Sequence, residues 1–275
     1  MVEVGEAPTL AVHVAEATSR SWRKVRGLLS VMTLTPTYGA AFADVYDDWY
    51  ANSDDLTAVA ALLCAHEPNS VLELGVGTGR VALALANLVV PAGGRVVGVD
   101  ESPEMLACLA DKDPQRRVTA VLGDMVDNQP NEAFDLIFIS YNTLFNVADR
   151  DKQAQCLANA ATRLSSTGRL VIDACIIDPG APTSGVTEER RGAWHVHTTS
   201  SFEVATGIIS GLTISTHDDT RRVRRPWRIA YQSPVSLDGT CAASGLRLVE
   251  RYASWHKTPF SDDAVRHVSI YRNLR

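Results

Sequence analysis

Short apolar runs recur between residues 71 and 176, and stretches with helical spacing lie between them. Val71-Leu72-Glu73-Leu74 reads as a buried strand, and Val81-Ala82-Leu83-Ala84-Leu85-Ala86 as a strong helix former just beyond it. Val96 to Val99 gives a second strand, and Ser102-Pro103-Glu104 caps the helix after it. A third strand runs from 118 toward 122 and a fourth from Leu136 to Ser140. A helix covers 150–165 and a fifth strand lies within 163–176. Upstream, Leu56, Val59, Ala60 and Leu63 predict a helix from Asp54 or Asp55 to about His66. A short helix from Ser19 or Ser21 to about Met32, apolar on one side and basic on the other, is expected within an N-terminal appendage over 1–37. From Trp194 to Ile229 the pattern becomes alternating and rich in Thr, Val, Ile and Ser, which predicts antiparallel strands. Residues 234–272 then read helix, strand, turn, strand.

The chemistry concentrates at the ends of the strands. Gly75, Gly77 and Gly79 join the first strand to its helix. Glycines there let the chain turn tightly and bring bare backbone against a ligand, and the helix start adds free N–H groups. Asp100 ends the second strand, where a carboxylate can accept both hydroxyls of a ribose. Gly123-Asp124-Met125 follows the third strand. Ser140, Tyr141, Asn142 and Phe145 follow the fourth, beyond the carboxyl ends of the strands, where open α/β sheets bind ligands. Taken alone, these features define a nucleotide-type cradle and leave the nucleotide open.

Composition narrows the field. The chain has 275 residues, 45% of them hydrophobic, which suits one large α/β domain with an insertion. A net charge of −6 speaks against generic nucleic-acid binding. The five cysteines are scattered and odd in number, as in a reducing compartment. No apolar run reaches the roughly 18–20 residues that span a bilayer, and no signal-peptide pattern opens the chain. A soluble, cytoplasmic protein that binds no nucleic acid and no membrane is expected.

The spacing GxGxG after Glu73, the "DESPEML" junction at 100–106, "GDM" at 123–125, "FDLIF" at 134–138 and "PFSDD" at 259–263 resemble the class I S-adenosylmethionine (SAM)-dependent methyltransferases. The similarity is to the small-molecule branch that tailors natural products, including aminosugar N-methyltransferases. The resemblance implies a doubly wound α/β fold: a seven-stranded, mostly parallel sheet with an antiparallel β insertion after its fifth strand. It divides the chain into the appendage 1–37, a SAM-binding core 38–176, an insertion 177–232 that covers the acceptor or forms a homodimer surface, and the sheet's closing part 233–275. It implies SAM contacts from Glu73, Gly75, Gly77, Gly79, Asp100, Glu101, Met105, Asp124, Met125 and Ser140. The "YDDWY" segment at 46–50 resembles one that closes over donor and acceptor, which adds Tyr46 and Tyr50 to the cofactor set and Tyr38 to the acceptor set. The acceptor, a small molecule methylated on N or O, is expected to meet Asn142, Phe145, Trp194, Tyr231 and His256. Two other activities fit a nucleotide cradle: an NAD(P)-dependent oxidoreductase, against which GxGxG and the antiparallel ending speak, and an enzyme that uses SAM without consuming it for cyclisation or rearrangement.

Tyr141 is a candidate catalytic group, as are His195 and His197, which share one side of a strand. No third ligand joins the two histidines, so no metal is expected. Arg221, Arg222, Arg224, Arg225 and Arg228 form a basic cluster, read as a solvated hairpin edge.

Overall fold

The computed structural model describes residues 37–51, 55–178, 180–219 and 221–274. The expected helix at 19–32 lies outside them. The order of elements is α1 (Tyr38–Phe42), α2 (Tyr46–Tyr50), α3 (Leu56–Leu63), β1 (Ser70–Leu74), α4 (Arg80–Val89), β2 (Arg95–Asp100), α5 (Pro103–Lys112), β3 (Val118–Leu122) and β4 (Phe134–Ile139). Then come α6 (Thr143–Asn146), α7 (Arg150–Arg163), β5 (Leu164–Cys175), β6 (Ser184–Arg191), β7 (Trp194–Glu203), β8 (Ile208–His217), β9 (Arg222–Ala230), α8 (Pro234–Ala243), β10 (Leu246–Tyr252) and β11 (Arg266–Asn273).

Seven strands form one sheet in the order β10-β11-β5-β4-β1-β2-β3. Strands β1 to β5 pair in parallel, and β11 enters antiparallel between β5 and β10. The inner parallel strands are covered on both faces, which is why they read as continuous apolar runs, whereas the edge strand β3 is largely exposed. Leu72, Leu74, Ile137 and Ile139 pack one face against α7 and α8, and Val71, Leu136 and Phe138 pack the other against α3 and α4. Ser102 caps α5 by accepting from the Met105 amide at 3.2 Å, with Pro103 in the first turn. The helix expected to reach His66 ends at Leu63. The ladder between β4 and β5 is interrupted, Phe134 standing opposite Leu164 and Leu136 opposite Arg169, so β5 bulges over residues 165–168 and folds back at Gly168. A Cβ there would lie 2.8 Å from the Phe134 carbonyl and 2.9 Å from the Ser165 amide, so glycine serves close backbone approach.

The alternating stretch forms a second sheet, β6-β7-β8-β9, antiparallel throughout. Its return is pinned to α7. The buried Gln153 amide donates to the carbonyls of Val147 and Ala230, both at 2.8 Å, and its oxygen accepts from Gln232 at 2.6 Å. Phe42, Trp49, Met105, Trp194 and Val196 form an apolar cluster that joins α1, α2 and α5 to this sheet. Among the described residues, no helix is long and apolar enough to cross a membrane.

Candidate active site

A cavity of ≈ 730 Å³ opens at the carboxyl ends of the parallel strands and runs under the second sheet. At its inner end lies the glycine turn, whose three glycines have distinct reasons to be glycine. All three adopt positive φ. A Cβ on Gly75 would meet Thr143 at 2.1 Å, and one on Gly79 would meet Leu109 at 2.2 Å, so both serve packing. A Cβ on Gly77 would meet nothing within 4 Å. The Gly77 backbone is therefore bare toward the cavity.

Asp100 closes the turn from the side. One carboxylate oxygen accepts from the Gly77 amide at 2.8 Å and the other from the Ser102 amide at 2.9 Å. Each oxygen retains a lone pair for a ribose hydroxyl. Burial pushes the Asp100 carboxyl up, against the pull of those two amides. Burial also raises Glu101, helped by the charges of Asp124 and Asp100. Glu101, Met105, Asp124 and Met125 line the same end, and Asp124 is fixed by accepting from the Val126 amide at 2.7 Å. The open backbone of Gly77, flanked by these carboxylates and the Met105 side chain, fits an adenosine group.

The cover is aromatic. Tyr38 stacks on Phe42 at 4.6 Å, and Tyr46 lies 4.8 Å from Tyr50. Tyr38, Tyr46 and Tyr50 all face the cavity, and burial raises the phenols of Tyr38 and Tyr46 well above their ordinary value. The cover is tied to the glycine turn itself. Thr78 donates to Asp47 at 2.6 Å, and Arg80 donates to the Tyr50 carbonyl.

After β4 the backbone turns sharply. Tyr141 and Asn142 adopt φ of 54° and 64°, unusual for residues with a Cβ. Asp173 holds them there, accepting from the Tyr141 amide at 2.8 Å while gripping Arg266 through both oxygens at 2.5 and 2.7 Å. The Tyr141 ring lies 4.6 Å from the Arg80 guanidinium and 5.6 Å from that of Arg266. Both guanidiniums line the cavity and give this corner a positive pole.

The second sheet supplies the outer wall. Thr187, Glu189 and Arg191 of β6, Val196, Thr198 and Ser200 of β7, Ile209 and Thr213 of β8, and Trp227 and Ile229 of β9 face inward.

Several expected site residues stand elsewhere. His195 and His197 occupy the opposite face of β7, paired across the strand with Arg190 and Glu188, and the His195 side chain is 64% exposed. Strand alternation dictates this: Trp194 and Val196 are apolar and turn inward, so their polar neighbours turn out. His256 is exposed and lies 4.0 Å from Asp55. Ser140 is buried beneath the cavity and donates to Glu73 at 3.2 Å. Glu73 is itself buried, and desolvation pushes its carboxyl well above the usual range; the pair braces the glycine turn from below. Gly79, as above, packs on Leu109. Phe145 and Tyr231 pack edge to face at 5.6 Å behind the wall, and the Tyr231 hydroxyl accepts from the Ile177 amide at 3.1 Å. Trp194 packs on Trp49 at 6.3 Å, also behind the lining. Arg225, read as part of a solvated edge, is fully buried and pairs with Asp44 at 2.6 and 2.9 Å. Arg80, Asp173, Arg266, Thr187, Thr213 and Arg191 line the cavity without having been expected to. For Thr187 and Thr213 the alternating pattern held the signal.

A seven-stranded sheet with this strand order, a bare glycine turn and a carboxylate at the end of β2 defines a nucleotide-binding α/β enzyme of the methyltransferase type. Residues 71–168 match the family model described as methyltransferase domain. The chain belongs to the SAM-dependent methyltransferases, the family whose cofactor is SAM. The NAD(P)-dependent alternative falls with that assignment.

The chain is similar to the CcbJ methyltransferase of Streptomyces caelestis, at 30% identity over 87% of this chain and 98% of that one, with a TM-score of 0.77. It is 34% identical over 140 residues to the cypemycin N-terminal methyltransferase of a Streptomyces species, covering 47% of this chain and 56% of that protein. The chain thus spans little more than half the length of that curated relative. The SAM-bound amino pentose methyltransferase CalS10 from Micromonospora echinaspora shares the fold at 15% identity, over 95% of this chain and all of that one, with a TM-score of 0.59.

Proposed function

We propose that the protein transfers the methyl group of SAM to a nitrogen of a small-molecule acceptor in secondary metabolism. The observation that carries this reading is the continuity of the cavity. It runs from the glycine turn to the inner face of the second sheet, and its volume sits high in the range of about 300–1,000 Å³ usual for ligand sites.

Bound SAM supplies an electrophilic methyl group, and the protein's task is to bring a nucleophile into line with it. Asp100 and Asp124 hold the nucleoside end. Tyr38, Tyr46 and Tyr50 exclude water from above. Nitrogen is favoured over oxygen because a neutral amine attacks with its own lone pair, whereas a hydroxyl needs a base. Of the described histidines, none lines the cavity. The carboxylates at the acceptor end are engaged: Asp173 with Arg266, Glu189 with Arg191 at 2.8 Å, and Asp149 with the amides of Asp151 and Lys152. The Streptomyces relative named as an N-terminal methyltransferase points the same way.

The test is mass spectrometry of amine acceptors incubated with the protein and SAM. Gain of one methyl per acceptor, matched by an equal amount of S-adenosylhomocysteine, is expected. Product of unchanged composition, with SAM intact, would favour the non-consumptive rearrangement instead.

A further inference from the structure

On the inner face of the second sheet, Trp227 lies across Gly211, where a Cβ would stand 2.2 Å from the indole. The Trp227 Nε1–H donates to Thr213 Oγ1 at 3.2 Å. Thr213 Oγ1 lies 2.9 Å from Thr198 Oγ1. Indole only donates, and each hydroxyl carries one hydrogen. Three hydrogens therefore serve two bonds, and one is left for the cavity. Thr213 is only 5% exposed, and an unspent hydrogen there would cost its full desolvation. Thr213 therefore donates to Thr198, which is partly exposed and lines the cavity. Thr198 is left with a hydrogen-bond donor to offer a ligand. The next row across the sheet is Gly185, Ser200 and Gly211, all small, with Trp227 at its end. Trp227 covers Gly211, and the small residues Gly185 and Ser200, which line the cavity, leave room for a ring beside the indole.

We propose that Thr198, oriented by the Trp227–Thr213 chain, reads a lone-pair oxygen on the acceptor's ring while Trp227 packs on the ring's apolar face. The acceptor class is then an oxygenated cyclic amine, not a purely hydrocarbon one. This rests on the methyl-transfer reading above. Thr198 is a specificity-determining residue and takes no part in the chemical step.

Two probes separate the terms: trans-4-aminocyclohexanol and cyclohexylamine share a ring and an amine and differ in one hydroxyl. S-adenosylhomocysteine formation is followed at saturating SAM, and S-adenosylhomocysteine binding is titrated separately. The wild type should show a KM about fivefold lower for the hydroxylated probe, the worth of one neutral hydrogen bond. Thr198→Val should abolish that preference, bringing the KM values of the two probes together, while S-adenosylhomocysteine still binds as in the wild type. Thr198→Ser keeps the donor and should keep the preference. Equal KM values in the wild type, an equal effect of Thr198→Val on both probes, or turnover of neither by protein that binds S-adenosylhomocysteine would overturn the inference alone. Failure to bind S-adenosylhomocysteine would overturn the methyl-transfer reading beneath it.

Discussion

Among single residues, burial decides which polar groups act on a ligand and which act on the protein. Asp100 is placed for both, since the two oxygens that brace Gly77 and Ser102 each keep a lone pair while the residue lines the cavity. His267 belongs wholly to the protein. It is fully buried on β11, with Nδ1 2.8 Å from Ser269 Oγ, and burial assisted by Arg251 holds its imidazole down at about 4. In the unfolded chain it protonates near the ordinary value of about 6.5. Above that value both states are neutral and His267 adds no pH dependence. Below it the unfolded state takes up the proton first, so stability falls as pH drops from about 6.5 through about 4. The loss is on the order of 3 kcal/mol. Urea unfolding at a series of pH values should show this slope in the wild type and a weakened one in His267→Gln; identical slopes would remove His267 from the account.

For the elements, the coupling of the aromatic cover to the second sheet rests on one buried arginine. Arg225 of β9 donates to both oxygens of Asp44, to the Ala41 carbonyl and to Ser215 at 3.2 Å, with Phe42, Trp49 and Trp194 around its guanidinium. The Asp44 side chain is 48% exposed, so by exposure alone it would pass for a surface carboxylate worth under about 1 kcal/mol. Removing it leaves Arg225 buried without its counter-charge, which costs roughly 3–5 kcal/mol. Asp44→Ala should therefore lower denaturant stability by about 3 kcal/mol and weaken SAM binding, because the α1–α2 cover loses its anchor. A change within about 0.5 kcal/mol would show that the pair holds nothing together. This contact could not be read from the chain: Asp44 and Arg225 are 181 positions apart, and the arginine sits among other arginines that are exposed.

Taken as a whole molecule, what was legible follows from how much each segment buries. The inner parallel strands are dry on both faces, so their apolar runs stand out, and the glycines and acidic residues that end them mark the donor end of the cavity. The second sheet has one face on the cavity and one in solvent, so its strands show only alternation. The choice of inward face then depended on parity, and Trp194 and Val196 carried it more reliably than the chemically conspicuous His195 and His197. The positive corner of Arg80, Asp173 and Arg266 arises from three separate elements meeting at the Tyr141 turn. No local pattern announces such a meeting.

We infer that SAM lies along the bare Gly77 backbone. Calorimetric titration of SAM into the wild type and Gly77→Ala tests it directly. The added methyl meets no protein atom, so the variant should fold, at about 1–2 kcal/mol for a Cβ at positive φ. Circular dichroism like that of the wild type with SAM affinity reduced at least tenfold is the predicted result. A folded Gly77→Ala protein that binds SAM as the wild type does would contradict it.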